Sequence, residues 1–461
     1  MHELPAAPTA ADDRDQFGRP KAALHFGQLL AVSAYWLAIT VLWGAFTFSV
    51  IPRLVESDGV LGDAGHPLAA LAIGVVTTAG VLIAIVVQPT MGAISDHTRS
   101  RLGRRKPYIL AGTLLDIVFL TFAAWAFWNQ SYWAFVAAVI LLQFSSNFAQ
   151  GPYQGYVPDL VPGRQVGIAS GMLGAANIAG NLLGPGLAIL FVSVLPKLLG
   201  YPEITLGLFV AIGAIELITM LITVFFVPDR PAPPTPLTLR ERALSAWGTD
   251  LLAHRDYVWL LVSRLFVLTG LVSLQAFALF FLEKAHNMGP DEALTAQLPV
   301  IITVAVAALL SAVPGGWISS RIGRKPVLYV AIGLGVVGAV VIATAPSYWM
   351  VVAAAVPIGI CSGVFLGVDW ALMTDIIPKA ESGRYMGISN IAVAGAGPIA
   401  ATVGGVAAFL AISASLGPDL AYRGIFVLMA LELLIGAWAL RHVTEPQRGV
   451  AAPTEQVASA A

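Results

Sequence analysis

Twelve apolar runs, each long enough to cross a lipid bilayer, are the feature that most limits how this chain can fold. A helix needs about 20 apolar residues to cross the hydrocarbon core. Because lipid offers the backbone no hydrogen-bond partner, runs of this kind are expected to be helices. The predicted spans are 27–51, 68–93, 108–128, 132–157, 167–195, 204–227, 258–282, 297–318, 327–345, 349–374, 385–413 and 422–441.

The composition agrees with an integral membrane protein. Hydrophobic residues make up 57% of the 461 residues and charged residues only 11%, whereas soluble proteins carry about 25% charged residues. A net charge of −1 gives no basic field for nucleic acid. The single cysteine, Cys361, excludes a disulfide within the chain and a cysteine metal cluster. We therefore expect no metal and no cofactor.

The basic residues predict which side of the membrane each loop faces. Twenty of the 25 Lys and Arg residues lie on one side of the predicted topology, four lie on the other, and Arg264 lies within a span. Cytoplasmic loops of membrane proteins carry the excess of Lys and Arg. We therefore expect a multi-pass protein of the cell (inner or plasma) membrane with both termini in the cytoplasm.

The spans divide into two groups of six around a central linker. The linker begins Pro-rich and continues as a short amphipathic helix, predicted over 239–253. It is either a plain connection or a regulatory, gate-like element. The predicted organisation is a cytoplasmic tail over 1–26, a six-helix bundle over 27–227, the linker over 228–257, a second bundle over 258–441 and a disordered tail over 442–461.

The two groups of spans repeat one another. The stretch PDLVPGRQVGIAS matches TDIIPKAESGRYMGIS, and GAISDHTRSRLGRRKP matches GWISSRIGRKP. Asp159 and Asp375 lie 216 residues apart, and so do Glu216 and Glu432. A parallel repeat of six helices predicts a pseudo-two-fold axis along the membrane normal, with the substrate site between the halves near the midplane.

With these features the chain resembles the major facilitator superfamily. Besides the twelve spans, the resemblance rests on Gly92, Asp96, Gly103, Arg104 and Arg105 around the loop after span two. The long loop SDHTRSRLGRRKP resembles that of the glycoside–pentoside–hexuronide symporters, and NFAQGPYQGYVPDL is similar to a pattern of plant sucrose/proton symporters. The resemblance implies an all-α polytopic membrane protein with two pseudo-symmetric six-helix bundles. The sequence contains no recognisable set of catalytic residues, so we do not expect an enzyme.

The loop after span two predicts a gate between the halves on the cytoplasmic side. Gly92 permits close helix approach, and Asp96 is placed to accept hydrogen bonds from the N-terminus of the eleventh helix. Arg104 and Arg105 are placed to pair with Asp159. The second copy has Ser320 where the first has Asp96, so a weaker latch is expected there. The alternative is that these arginines only set topology. The other predicted gate residues are Arg164, Arg324, Asp375 and Arg384.

Five charged residues lie inside predicted spans and away from the span ends, where charges are costly and often functional. The resemblance implies that spans seven and ten line the cavity, which makes Arg264 and Asp369 the candidates for ion coupling. An isolated charge there would be expensive, so we expect these two to pair. A purely structural pair is the alternative. Asp116, Glu216 and Glu432 fall on outer spans, where we expect structural contacts and leave a coupling role open.

Polar side chains in several spans predict a sugar-binding cavity. In span four, Gln143, Asn147, Gln150 and Gln154 recur at spacings of 4, 3 and 4, which is one helical face. Amides match sugar hydroxyls, and aromatic faces pack on the apolar face of a pyranose. Hydrogen bonding between helices is the alternative. The predicted substrate-binding residues are Tyr35, Trp36, Trp43, Gln143, Asn147, Gln150, Gln154, Asn177, Gln275, Trp370 and Asn390.

Span four departs from the plant sucrose pattern, which has an acid at the position of Gln143 and an arginine at that of Gln154. Coupling by that route is therefore not implied. The sequence predicts a monomeric transporter of a neutral sugar or glycoside by alternating access, coupled to H⁺ or Na⁺ through Asp369 or acting as a uniporter. An exporter of amphipathic drugs or metabolites and a membrane sugar sensor without transport remain alternatives.

Overall fold

The computed structural model describes residues 19–46, 67–199, 205–248 and 252–445. The predicted terminal tails lie mostly outside these residues, and so does the end of the predicted first span. Within the described residues, twelve helices are long and apolar enough to cross a membrane, which confirms the predicted number. No membrane is present, so this number rests on length and composition.

The twelve helices are numbered in chain order. They are α1 (Phe26–Ala45), α2 (Pro67–Asp96), α3 (Lys106–Trp128), α4 (Tyr132–Gln154), α5 (Val166–Ile189), α6 (Thr205–Phe226), α7 (Arg255–Ala285), α8 (Pro290–Ile322), α9 (Arg324–Thr344), α10 (Tyr348–Ile376), α11 (Ser382–Ser413) and α12 (Gly417–Arg441).

Two short helices follow long ones in the first half, and another short helix lies in the linker. Tyr156–Leu160 follows α4, and Leu195–Leu199 follows α5 after a π-helical segment. In the linker, Thr238 caps a helix over Leu239–Ser245, which is shorter than the predicted 239–253. This helix ends where the carbonyl groups of nearby residues accept hydrogen bonds from the Arg384 side chain. Part of the predicted range, 249–251, lies outside the described residues.

Each half packs its six helices in the same pattern. In the first half, α1 packs on α5 and α6, α3 packs on α4 and α6, and α2 packs on α4. In the second half, α7 packs on α11 and α12, α9 packs on α10 and α12, and α8 packs on α10. The matching pattern confirms the predicted all-α fold of two pseudo-symmetric six-helix bundles.

The two bundles meet mainly through α2 with α11 and α5 with α8. Both contacts use paired glycines, Gly92 against Gly383 and Gly167 against Gly316, where an added Cβ would collide with the facing backbone. The pairs lie at one end of the molecule, which we call the basic face because it carries Arg104, Arg105, Arg324 and Arg384. At this face the bundles are in direct backbone contact.

Candidate functional site

At the basic face, Arg105 is the centre of an ion-pair network. Its fully buried guanidinium donates to Asp96 at 2.5 Å, Asp159 at 3.0 Å and Ser382 at 2.9 Å. Arg104 pairs with the same Asp159 at 2.6 Å. Burial opposes the charge of Arg105, but Asp159 and Asp96 outweigh that effect and hold the pKa of the guanidinium above its ordinary value.

Asp96 joins the two halves directly. Its carboxylate accepts the backbone N–H groups of Gly383 and Arg384, each at 3.0 Å, at the N-terminus of α11. A negative charge at a helix N-terminus is favourable because the first N–H groups have no partner within the helix. The contact predicted between Asp96 and the eleventh helix is therefore present, and its gating role stays a prediction.

The second copy of this network is built around Arg324. Its guanidinium lies 3.2 Å from Asp375 and donates to Ser320 at 3.0 Å. Arg19, from the segment before α1, also pairs with Asp375 at 2.9 Å. Ser320 thus holds the place of Asp96 as a partner of the central arginine, without its negative charge.

Two acids that the sequence analysis did not single out cap helices at the basic face. Asp229 accepts the backbone N–H groups of Arg105 at 2.7 Å and Lys106 at 3.0 Å, at the start of α3. Glu445 does the same for Arg324 at 2.6 Å and for the next residue at 3.2 Å, at the start of α9. Asp229 and Glu445 lie 216 residues apart, which is the repeat offset that would have identified them.

The remaining predicted gate residues have different surroundings. Arg384 is buried, pairs with Glu381 at 2.5 Å and donates to the carbonyl groups of Ala246 and Gly248 in the linker, each at 3.4 Å. The linker therefore contacts one of the predicted gate residues. Arg164 is exposed in the turn before α5.

Deeper between the bundles lies a cavity of about 290 Å³ that both halves line. Four helices of the first half (α1, α2, α4 and α5) and three of the second half (α7, α10 and α11) contribute to its wall. Arg264 and Gln88 line it together with six of the predicted binding residues. The six are Trp36, Trp43, Gln150, Asn177, Trp370 and Asn390.

Indole rings form much of the cavity wall. Trp36 of the first half and Trp370 of the second half meet edge to face, with ring centroids 5.1 Å apart. Trp36 also stacks on Tyr153 at 6.0 Å. The indole N–H of Trp43 donates to Ser146 at 3.2 Å, which fixes the orientation of its ring. Indole rings from both halves therefore contribute to the wall.

Gln88 on α2 organises the amides beside the cavity. Its amide N–H groups donate to Asn147 and, at 2.9 Å, to Gln150. Its carbonyl oxygen accepts from Asn390 of the second half and, at 3.5 Å, from Gln154. This bridge between the halves was missed from the sequence, although Gln88 is the single amide within α2.

The other five predicted binding residues do not line this cavity. Asn147 and Gln154 are buried against Gln88, and Gln143 packs at Gly80 of α2 and holds Asn147 at 3.0 Å. Interhelical hydrogen bonding, the alternative considered for this face, describes Asn147 and Gln154, whereas the hydrogen bond of Gln143 stays within α4.

The last two of the five are Tyr35 and Gln275, which differ in their exposure to solvent or lipid. Tyr35 is buried behind the wall, with its hydroxyl 2.7 Å from that of Thr113. Gln275 is exposed on α7. The polar and aromatic side chains of the spans therefore serve packing between helices as well as the cavity.

Arg264 and Asp369 form the expected pair. Their side chains lie 3.0 Å apart and are 3% and 2% exposed. Arg264 lines the cavity and lies over the ring of Trp370 at 5.9 Å. Oδ1 of Asp369 and Nε of Arg264 have no hydrogen-bond partner among the described residues. A buried pair with unused polar atoms is less stabilising than a fully bonded one, and its coupling role stays a prediction.

The three acids on outer helices lie away from the cavity. Asp116 accepts from Ser145 at 2.5 Å, and Glu432 accepts from Ser273 at 3.4 Å. Neither carboxyl oxygen of Glu216 has a hydrogen-bond partner among the described residues. All three side chains are buried.

Sequence comparisons agree with this architecture. Residues 62–429 match the family described as MFS/sugar transport protein. The sucrose transport protein SUC4 of Arabidopsis thaliana is 28% identical over 194 residues, and the general alpha-glucoside permease of Schizosaccharomyces pombe is 30% identical over 174. These alignments cover 39% and 35% of this chain but only 36% and 31% of the relatives. The multidrug resistance protein MdtG of Citrobacter koseri is 24% identical, over 87% of this chain and 92% of its own.

A structural comparison supports the fold alone. A crystal structure of the E. coli fucose:proton symporter FucP superimposes with a TM-score of 0.68 at 14% identity, covering 90% of this chain and 98% of that one. These relatives and this neighbour are transporters rather than enzymes. Because the family match extends over more than half of the sequence, the chain belongs to the MFS/sugar transport protein family of the major facilitator superfamily.

Proposed function

We propose that this protein moves a neutral sugar or glycoside across the cell membrane by alternating access, coupled to protons. The observation that carries the proposal is the cavity of about 290 Å³ between the halves, with indole faces and amides on its wall. This volume is close to the lower end of the range for small-molecule sites, about 300–1,000 Å³.

The chemistry of the cavity wall favours a sugar. Gln150, Asn177 and Asn390 supply amide groups that both donate and accept hydrogen bonds, as sugar hydroxyls do. Trp36, Trp43 and Trp370 supply indole rings on which the C–H face of a sugar ring can pack. The names of the sucrose and alpha-glucoside relatives point to the same substrate class.

The gate at the basic face supports alternating access. By the positive-inside rule this face is cytoplasmic, with both termini on that side. The Asp96 contacts to the α11 backbone and the paired glycines close this face in the present structure. Rocking the bundles apart would separate Asp96 from α11 and open the cavity to the cytoplasm.

Arg264 and Asp369 supply the proposed coupling. While Asp369 is ionised, it holds the Arg264 guanidinium at 3.0 Å against the cavity wall. A proton on Asp369 would remove that attraction and free the N–H groups of Arg264 to donate to a sugar oxygen. Substrate and proton would then bind together, since a buried cation without a partner is costly.

Uptake into proteoliposomes tests the proposal. Radiolabelled mono- and disaccharides are offered under an imposed proton gradient, a sodium gradient or neither, with Trp36→Ala as the binding-deficient control. We expect uphill accumulation of at least one sugar under the proton gradient alone, abolished by a protonophore and by Trp36→Ala. Binding of the sugar with no flux under any gradient would instead identify a sensor and overturn the transport proposal.

Export of an amphipathic drug or metabolite is the second candidate. It is favoured by the similarity to MdtG, which extends over 87% of this chain, and by the indole-lined wall. In a dye-efflux assay on the same proteoliposomes, we expect no extrusion. Extrusion without uptake of any sugar would replace the sugar proposal with this one.

A further inference from the structure

Two carboxyl groups are buried together in the first half and are not part of the cavity lining. Asp116 on α3 is 0% exposed and Glu216 on α6 is 1% exposed. The two helices are antiparallel neighbours, and the side chain of Leu120 lies against Gly213. Asp116 lies one turn before Leu120 and Glu216 one turn after Gly213, so the two carboxyl groups come to the same level and interact electrostatically.

No positive charge balances this pair among the described residues. Neither acid forms a salt bridge there, and none of the described stretches of α1, α4, α5 and α6 contains Lys, Arg or His within the span. Oδ2 of Asp116 and both carboxyl oxygens of Glu216 lack a hydrogen-bond partner among the described residues. Two buried, ionised, unpaired carboxylates would cost many kcal/mol, so the site needs a bound cation.

The neighbouring groups favour a proton over a metal ion. Ser145 of α4 donates to Oδ1 of Asp116 at 2.5 Å, and the hydroxyl of Tyr35 on α1 is engaged with Thr113 at 2.7 Å. A calcium ion takes about six to eight oxygen ligands, which is more than two carboxyl groups and one serine provide. Within the described residues, no group of three or more His, Cys, Asp and Glu side chains is placed to hold a metal.

We propose that Asp116 and Glu216 form a proton-binding site in which they hold one proton between them. Glu216, whose carboxyl group accepts no hydrogen bond from the described residues, carries the proton and donates it to Oδ2 of Asp116. Asp116 keeps its Oδ1 on the Ser145 hydroxyl. The site is separate from Asp369 and lies in the other half of the molecule.

The second half shows that the fold does not require this pair. In the repeat, Gly335 is equivalent to Asp116, Cys361 to Ser145 and Glu432 to Glu216. A Cβ on Gly335 would meet the side chain of Cys361, which is the contact that corresponds to Asp116 with Ser145. With the aspartate absent, the remaining glutamate accepts from a serine of α7. The carboxyl pair is therefore specific to the first half and is not a packing element of the repeat.

The site also lies directly behind the cavity wall. Tyr35 precedes Trp36 on α1, and Ser145 precedes Ser146, which holds the indole of Trp43 at 3.2 Å. A change in the charge of the pair would therefore be felt by two helices that line the cavity. This link to transport rests on the proposed function, whereas the proton itself does not.

Infrared difference spectroscopy of the purified full-length protein tests the proton directly. Protonated carboxyl groups have a carbonyl stretching band that shifts in D₂O. We expect this band to lose one component in Glu216→Gln, while the matched variant Glu432→Gln in the second half keeps it. In Asp116→Asn the component should shift, because Glu216 loses its acceptor. A band unchanged in Glu216→Gln and Asp116→Asn would overturn the proposal.

Two further measurements separate the possible outcomes. If added Na⁺ abolished the component in the unmodified protein at constant pH, the site would be a sodium site and the proton proposal would be wrong. In proteoliposomes, Glu216→Gln is expected to reduce proton-driven accumulation more than exchange of substrate. Absence of any sugar transport in the unmodified protein would refute the proposed function and leave the infrared result standing.

Discussion

The two halves of this molecule share one helix arrangement but treat their buried acids differently. In the first half, Asp116 and Glu216 are buried on neighbouring helices, and neither pairs with a cation among the described residues. In the second half, Asp369 is paired with Arg264 at 3.0 Å, and Glu432 is left with a serine. The repeated fold therefore does not dictate the chemistry of its core, and each half contributes a different kind of titratable site.

At the basic face the halves are far more alike. In both, a buried arginine pairs with an aspartate near the end of the fourth helix of that half, Arg105 with Asp159 and Arg324 with Asp375. The main departure is Ser320, which holds the place of Asp96. The ion pairs of the basic face thus follow the repeat, while the buried acids of the core do not.

The largest effect is expected when the negative charge of Asp369, in the core of the second half, is removed. Asp369→Asn keeps a hydrogen-bond acceptor beside Arg264 but cannot bind a proton. We expect loss of uphill accumulation, retention of substrate exchange, and a loss of about 1–3 kcal/mol in the free energy of unfolding, since the buried Arg264 loses its counter-charge. Uptake and counterflow in the same proteoliposomes measure the transport effects, and thermal unfolding in detergent measures the loss of stability.

Glu432→Gln is the matched control, because it neutralises a buried acid of the same half that has no arginine partner among the described residues. It should leave accumulation intact. If Asp369→Asn accumulated sugar as well as the unmodified protein, coupling would not pass through this pair, and the contrast between the halves would lose its functional meaning.

A smaller effect is expected at the gate, where one residue distinguishes the halves. Asp96→Asn removes a full charge from the N-terminus of α11 and from Arg105, which should destabilise the closed basic face by about 1–2 kcal/mol, or roughly tenfold in the conformational equilibrium. Ser320→Asp should shift the equilibrium the other way. Distances between spin labels on the two bundles at this face would report the populations.

The label sites can be placed on a background in which Cys361, the single native cysteine, is replaced by serine. Equal distance distributions in the unmodified background and in Asp96→Asn would mean that the glycine contacts alone close this face. An unchanged distribution in Ser320→Asp would show that the asymmetry between the two copies has no energetic consequence.

Much of the fold could be predicted because it depends on local and repeated patterns. Spans follow from hydropathy, and the contact of Asp96 with α11 follows from its place at a helix end. The pairing of Arg264 with Asp369 follows from the high cost of single charges in lipid. These predictions required no knowledge of how the helices are rotated in the bundle.

What could not be predicted depends on how helices are rotated against one another. The spacing on α4 correctly placed Asn147 and Gln154 on one polar face, but spacing does not reveal whether that face meets a cavity or another helix. Gln88 of α2 forms hydrogen bonds with Asn147 and Gln154 of that face. Because Gln88 is the single amide in an apolar span, no periodic pattern points to it. Asp229 was missed because it lies in a polar linker, where an acid is expected to be solvated.

The smallest effect is expected where the halves are most alike, at the two helix caps. Asp229→Asn and Glu445→Gln each replace a carboxylate that accepts two backbone N–H groups at a helix start. Each should cost about 0.5–1 kcal/mol, since an amide oxygen still accepts hydrogen bonds but the charge is lost. The caps lie in different halves and share no partner, so the double variant should show the sum of the two losses. Thermal unfolding in detergent, followed by tryptophan fluorescence, measures the stability of the two single variants and the double variant. If only one single variant lost stability, the two caps would have the same geometry but different contributions to stability.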